Sequence, residues 1–173
     1  MEDFQLELVT VKDVKDVTRI EYAAYGIKTK YPSVTSYKNR NYLRFYYNTN
    51  RNNYYKIMIG DQVVGTVLLC VNKHSTTLYH IALDTLYRSL GYGSKILQDL
   101  LAKSNKLRVT VPYGHVDLLH WYQRKGFTID SIIISKYASY WKDENIINPG
   151  KAWVLTHKEN HYDNTFKMQS KPS

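Results

Sequence analysis

Cysteine is nearly missing from this chain: its 173 residues include one, Cys70, within the apolar run VVGTVLLCV. A single thiol excludes an internal disulfide and any zinc site built on cysteines, and its strand-like setting makes it a packing residue rather than a reactive group. Long hydrophobic runs are missing as well. Nothing approaches the ~18 consecutive apolar residues that a membrane-spanning helix needs. The opening residues MEDFQLELVTVKDVKDVTRI alternate charged and apolar positions and do not read as a leader. The chain therefore reads as a soluble, cytoplasmic protein without a membrane partner. No internal repeat or low-complexity block divides it, and its length suits one domain with a real core, residues 1–159, followed by a polar tail, 160–173.

Negative charge is absent from one long stretch. Between Lys28 and Lys56 there is no Asp or Glu, while seven Lys and Arg are interleaved with Tyr31, Tyr37, Tyr42, Tyr46, Tyr47, Tyr54 and Tyr55. This is either a solvated helix face with its tyrosines half in the core, or a surface for an anionic ligand, nucleic acid included. The whole chain carries a formal charge of +9, which favours anionic partners without naming one.

What is present alternates between strand and helix. FQLELVT has the period-two pattern of a half-buried strand. Thr10 and Asp13 form a capping-box pattern ahead of Val14, Val17, Glu21 and Ala24 at helical spacing. Residues 37–49 read as a second helix. NYYKIMIG and QVVGTVLLCVN flank the turn Gly60-Asp61, and Lys73-His74-Ser75 leads into TTLYHIALD, so three strands form an antiparallel meander. A glycine turn then opens a helix with Ile96, Leu97, Leu100 and Leu101 on one face. KLRVTVP is a strand that Pro112 ends, and His115 to Lys125 is a short helix stopped by Gly126. FTIDSIIIS and KAWVLTH are two further strands, joined by a loop over 136–150. The sum is an α/β (α+β) domain with a mixed, mainly antiparallel sheet.

The glycine turn, Arg88-Ser-Leu-Gly91-Tyr-Gly93, carries the chemistry. A dinucleotide fingerprint needs a third glycine where this chain has Ile96, and a P-loop needs a Gly-Lys-Ser/Thr ending that GYGSK lacks. What remains is general: unpaired N–H groups at a helix start form a cradle for phosphate oxygens, glycines let the backbone approach, and Arg88 adds charge.

Arg-x-x-Gly-x-Gly after a strand, opening a leucine-rich helix, resembles motif A of the GNAT superfamily of acyl-CoA-dependent N-acyltransferases. About thirty residues on, Tyr122, Gly126 and Phe127 in LLHWYQRKGF are similar to that family's Tyr-x-x-x-Gly-Phe signature. The resemblance covers roughly residues 4 to 157. It implies six or seven strands flanked by about four helices, with the sheet splayed between the fourth and fifth strands. It implies acetyl-CoA as co-substrate, its pyrophosphate on Arg88, Ser89, Leu90, Gly91, Tyr92, Gly93 and Ser94, and its pantetheine along Ile81, Ala82 and Leu83. The family often has Asn where this chain has His115, and Ala where it has Leu118; His115 retains the ability to donate a hydrogen bond to the cofactor.

The reaction so implied moves an acetyl group to an unidentified primary amine, and the amine must first be neutral. At a lysine-like pKa of about 10.4, roughly one molecule in a few thousand is neutral at pH 7. By the resemblance Tyr122 is the general acid toward the departing thiolate. A reference phenol near 10 facing a thiol near 8.5 makes that transfer uphill by roughly 2 kcal/mol, so Tyr122 needs help or acts mainly as a hydrogen-bond donor. The family's usual base positions hold Thr77 and Tyr79, neither a ready base. His80 is the other candidate, and simple alternation puts it on the face opposite Tyr79 unless a bulge intervenes. Asp84 reads as a turn residue; water, or Asp143 and Glu144, are further routes for the proton. No metal is expected. The alternatives are a nucleic-acid or anion-binding module using 28–56, and a CoA-binding regulator without catalysis; monomer and homodimer are both open.

Overall fold

The computed structural model describes residues 1–25, 52–134 and 151–157. The helix expected over 37–49, the loop over 136–150 with Asp143 and Glu144, and the tail lie outside the described residues.

Seven strands form one sheet in the order β1-β2-β3-β4-β5-β7-β6. They are β1 (Gln5–Leu8), β2 (Asn52–Ile59), β3 (Gln62–Val71), β4 (Thr76–Leu83), β5 (Leu107–Pro112), β6 (Phe127–Ile134) and β7 (Lys151–His157). The expected meander is β2, β3 and β4: Gly60 turns the first hairpin with φ +57, and every pair in it is antiparallel. Among the described strands only β4 and β5 run parallel. The reason is the crossover between them, which carries a helix from the top of β4 back to its start.

Three described helices flank the sheet: α1 (Val14–Tyr25), α2 (Tyr92–Lys103) and α3 (Val116–Arg124). The α1 start follows the sequence pattern, with the Thr10 N–H and hydroxyl both donating to Asp13 Oδ2 at 2.7 and 3.0 Å. Burial alone would raise the Asp13 pKa. Hydrogen bonds from the Thr10 backbone and the Lys56 ammonium, 2.9 Å away, outweigh it and hold the carboxyl below its ordinary value.

On one face of the sheet, Ile96, Leu97 and Leu100 of α2 and Leu119 and Tyr122 of α3 pack against Tyr55, Ile57, Val67, Leu69, Leu78 and Val109. Val17 and Ile20 of α1 are fully buried, and α1 lies against β3 and β4. The end of the basic, tyrosine-rich stretch thus turns inward. Tyr54 and Tyr55 are buried core residues, and Lys56 is held between Asp13 and Glu7, so residues 54–56 build the sheet.

Candidate functional site

The seam between β4 and β5 makes the cleft. The two strands pair only from Thr76 to Leu78 against Leu107 to Val109. Past that point β5 continues to pair with β7 while Tyr79 to Leu83 continue along β3, so the sheet parts. A cavity of about 670 Å³ opens there, walled by Tyr79–Leu83 on one side and by His115, Leu118, Trp121 and Tyr122 of the α3 region on the other.

Its outer end is the glycine loop. Asp84 accepts from the Leu86 N–H at 3.2 Å and caps the short 3-10 turn Thr85–Tyr87. Hydrogen bonding from Arg19 holds the Asp84 carboxyl below its ordinary pKa, which leaves it a turn residue and not a base. The Arg88 Nε donates to the Leu83 carbonyl at 2.8 Å, fastening the guanidinium to the end of β4. Arg88 Nη2 is buried and has no hydrogen-bond partner among the described residues. A buried guanidinium N–H without an acceptor is costly, and it sits in the wall of this cavity, where an anion would satisfy it.

Gly91 is the N-cap of α2 in the left-handed region, φ +91, and Ser89 is left-handed too at φ +59. The first intrahelical bond is Lys95 N–H to the Gly91 carbonyl, 3.1 Å, so the N–H groups of Tyr92, Gly93 and Ser94 precede the helical ladder. A Cβ at Gly93 would stand 3.7 Å from Trp121, across the cleft. Arg88, Ser89, Gly91, Gly93 and Ser94 all line the cavity. The side chains of two neighbours do not. Leu90 is 58% exposed, and the Tyr92 ring is buried against Tyr87, its Oη accepting from the Glu2 N–H. Any part these two play in the cradle belongs to their backbone.

The middle and inner end come from β4, which is not a regular strand. The register slips between Leu68 and Leu69 of β3, whose partners are His80 and Leu78, so Tyr79 is left as the extra residue of a bulge. Leu78 and His80, two positions apart, therefore face opposite sides. Leu78 joins the α2 core, whereas His80 meets Tyr54 edge-on at 6.0 Å and its Nε2 lies 3.2 Å from Thr66 Oγ1. Simple alternation thus fails at this point. His80 is only 6% exposed, a packed histidine bordering the cavity, and Tyr79 beside it is half-buried.

Tyr122 enters from α3, whose N-cap is His115. Its ring is wedged between Trp121 and Phe127, with centroids 4.9 and 5.5 Å away, and Gly126, left-handed at φ +94, lets the chain double back into β6 so that Phe127 closes this contact. Burial pushes the Tyr122 pKa well above the ordinary tyrosine value. The cavity thus gathers Tyr79, His80, Ile81, Ala82, Leu83, Arg88, Ser89, Gly91, Gly93, Ser94, His115 and Tyr122 of the residues expected from sequence. Trp121 and Ala24 line it as well without having been singled out for it. The Trp121 indole next to Tyr122 was visible as an aromatic pair, but nothing in the sequence aimed it at the cleft. Among the described residues no carboxylate lines this cavity, and no cluster of His, Cys, Asp or Glu could hold a metal ion. None of the described helices is long and apolar enough to cross a membrane.

Residues 50–129 match the family model described as Acetyltransferase (GNAT) domain. No curated protein sequence matches the chain closely enough to count as a relative. Among solved structures, a GNAT family acetyltransferase from Elizabethkingia anophelis with acetyl-CoA bound superposes with a TM-score of 0.64 at 18% identity, over 91% of this chain and 99% of that one. Arabidopsis thaliana Naa50, solved with a bisubstrate analogue, CoA-Ac-MVNAL, gives 0.58 at 18% identity over 90% and 99%. The ribosomal-protein-S18-alanine N-acetyltransferase of Escherichia coli gives 0.62 at 16% identity over 90% and 93%. At these identities the likeness is one of fold.

Proposed function

The chain belongs to the GNAT superfamily of acetyltransferases through residues 50–129, and from that premise we propose that it is an N-acetyltransferase that takes an acetyl group from acetyl-CoA to a primary amine. The observation that carries this reading is the pairing, in one cavity, of an anion cradle with an unsatisfied arginine N–H and a buried phenol on the facing helix. The fit to the cofactor rests on the same features. Arg88 and the N–H groups from Ser89 to Ser94 would hold its diphosphate, and the unpaired edge of Ile81–Leu83 would take the amide arm as an added strand. Bound there, acetyl-CoA supplies an activated acetyl thioester.

The residues do the rest by position. Tyr122 presents a phenol that burial keeps protonated, so it would donate a hydrogen bond toward the sulfur of a bound thioester and could give up that proton as the sulfur leaves. The same burial makes it a weaker acid than a free tyrosine. Its contribution is therefore an oriented proton more than a driving force. The described cavity wall carries no carboxylate, so the routes it offers for the amine's proton are His80 and water; Asp143 and Glu144, outside the described residues, are further routes, and the pH profile of kcat would distinguish a side-chain base from water.

Two measurements test the reading. CoA at about a hundred times a micromolar Kd stabilises a protein that binds it by roughly 2.7 kcal/mol, so the melting temperature rises clearly; no rise at that concentration removes the proposal. Acetyl transfer from acetyl-CoA over a panel of amines then distinguishes an enzyme from a CoA-binding regulator.

A further inference from the structure

Four residues at the beginning of the described chain converge on one turn of α2. A Cβ built on Gly91 would come within 2.9 Å of Met1 Cε. The Glu2 backbone N–H donates to Tyr92 Oη at 3.2 Å. Asp3 Oδ1 lies 3.5 Å from Lys95 Nζ, and the same ammonium stands 5.8 Å from the centre of the Phe4 ring. Gly91 is the N-cap of α2, Tyr92 its first residue and Lys95 lies one turn in. Taken singly these contacts are weak: Asp3 is fully exposed, and an exposed ion pair contributes little. Their common target is what matters. All four act on the turn whose N–H groups make the anion cradle, and the loop that leads into it holds Ser89, which is not a glycine, in the left-handed region, where it needs its surroundings to hold it.

We propose that the segment Met1–Phe4 is a positioning element for the cofactor cradle, a strap that fixes Gly91, Tyr92 and Lys95 so that the first turn of α2 is already in its binding pose. The inference rests on the proposed acetyl-CoA reading and deepens it. The strap lines no part of the cavity and touches no reacting atom. Its effect is on affinity, because a cradle ordered in advance does not have to be ordered on binding. It leaves the transfer step alone, since Tyr122 belongs to α3. It also accounts for the buried Tyr92 side chain, which points away from the cleft and yet spends its hydroxyl on the backbone of a residue ninety positions earlier.

Two substitutions delete the same bond from opposite sides. Tyr92→Phe keeps the ring against Tyr87 and removes the acceptor; Glu2→Pro removes the donor on an exposed segment where folding is not at stake. Kd for CoA by calorimetry, KM and kcat for acetyl-CoA, and the melting temperature are measured for each variant and for the pair. The expected result is a rise in Kd and KM of about three- to tenfold in each single variant, the loss of one hydrogen bond, with kcat unchanged. The double variant should be no worse than the weaker single one. CoA affinity within twofold of wild type in both variants overturns the proposal, as does a variant whose kcat and melting temperature fall together while affinity holds. If the unaltered protein binds no CoA, the proposed function falls and the strap with it. If it binds CoA and both variants bind equally well, the strap alone is overturned.

Discussion

The two ends of the cavity are built from different materials. At the outer end the groups on offer are main-chain N–H groups and one arginine, arranged by a short loop between a strand and a helix. At the inner end they are side chains, Tyr79, His80 and Tyr122, brought together from a bulged strand and a helix some forty residues further along. The outer end is suited to a ligand that is always the same, because a backbone cradle recognises phosphate geometry and nothing finer. The inner end can be retuned one residue at a time, since exchanging a side chain changes what it fits. Under the proposed function, a donor site and an acceptor site would therefore share one cleft and could change separately.

Substitutions at the two ends should then split binding from turnover. The largest effect is expected for Tyr122→Phe, with kcat lower by about 10²- to 10⁴-fold and CoA affinity within twofold, read from steady-state rates and calorimetry. Equal losses of both would make Tyr122 a packing residue and dissolve the distinction. Next comes Arg88→Ala at the outer end. Losing a charge-assisted hydrogen bond should weaken CoA binding by about 10- to 100-fold while kcat at saturating acetyl-CoA is kept. A loss of kcat without a loss of affinity would place chemistry where only recognition is expected.

His80→Gln is the sharper test of the inner end. Disturbing the contact with Thr66 should cost about 1–3 kcal/mol of stability in denaturant unfolding, with kcat changed only a few-fold if water takes the proton. A flattened acidic limb in the pH profile, together with a large loss of kcat, would make His80 the base.

The smallest effect lies away from the cleft. Tyr55 is completely buried and its hydroxyl has no partner among the described residues, so Tyr55→Phe should stabilise the fold by about 1 kcal/mol. Burial also raises the pKa of both Tyr55 and Tyr122 above the ordinary 10.0. Once unfolded, either phenol releases its proton near that value; folded, it holds on to higher pH. Above pH 10 the unfolded state therefore binds fewer protons, and stability that is complete below pH 10 declines as the pH rises. Melting curves from pH 8 to 11 should show this decline, lessened in Tyr55→Phe.

Much of the scaffold was legible because its signals are local. Gly60-Asp61 marks a hairpin, Thr10 and Asp13 mark a helix start, and the stripe Ile96, Leu97, Leu100 marks a buried face, each within one turn or one hairpin of sequence. The glycine loop was legible for the same reason: left-handed backbone and close approach leave glycines at fixed spacing. The bulge at Tyr79 was not, since a bulge is a property of the pairing with Leu68 and Leu69, and period-two alternation in β4 alone assigns His80 to the wrong side relative to Leu78. Nor was the contact of Glu2 with Tyr92, which no local pattern encodes. Leu90 and Tyr92 show the limit of a motif read as letters. The loop needs their backbone, while one side chain goes to solvent and the other to the N-terminal strap.

The three-pair seam between β4 and β5 gives this sheet four edges where an open sheet has two. Among the described strands the outer pair lies on β1 and β6, the two ends of the sheet. The inner pair faces the cleft between β4 and β5. In amide exchange, the N–H groups of Tyr79–Leu83 directed at the cleft should behave as those of a surface strand, although they lie in the middle of the molecule. An extended amide chain entering the cleft would slow them to interior rates, joining two half-sheets that otherwise share only three residue pairs.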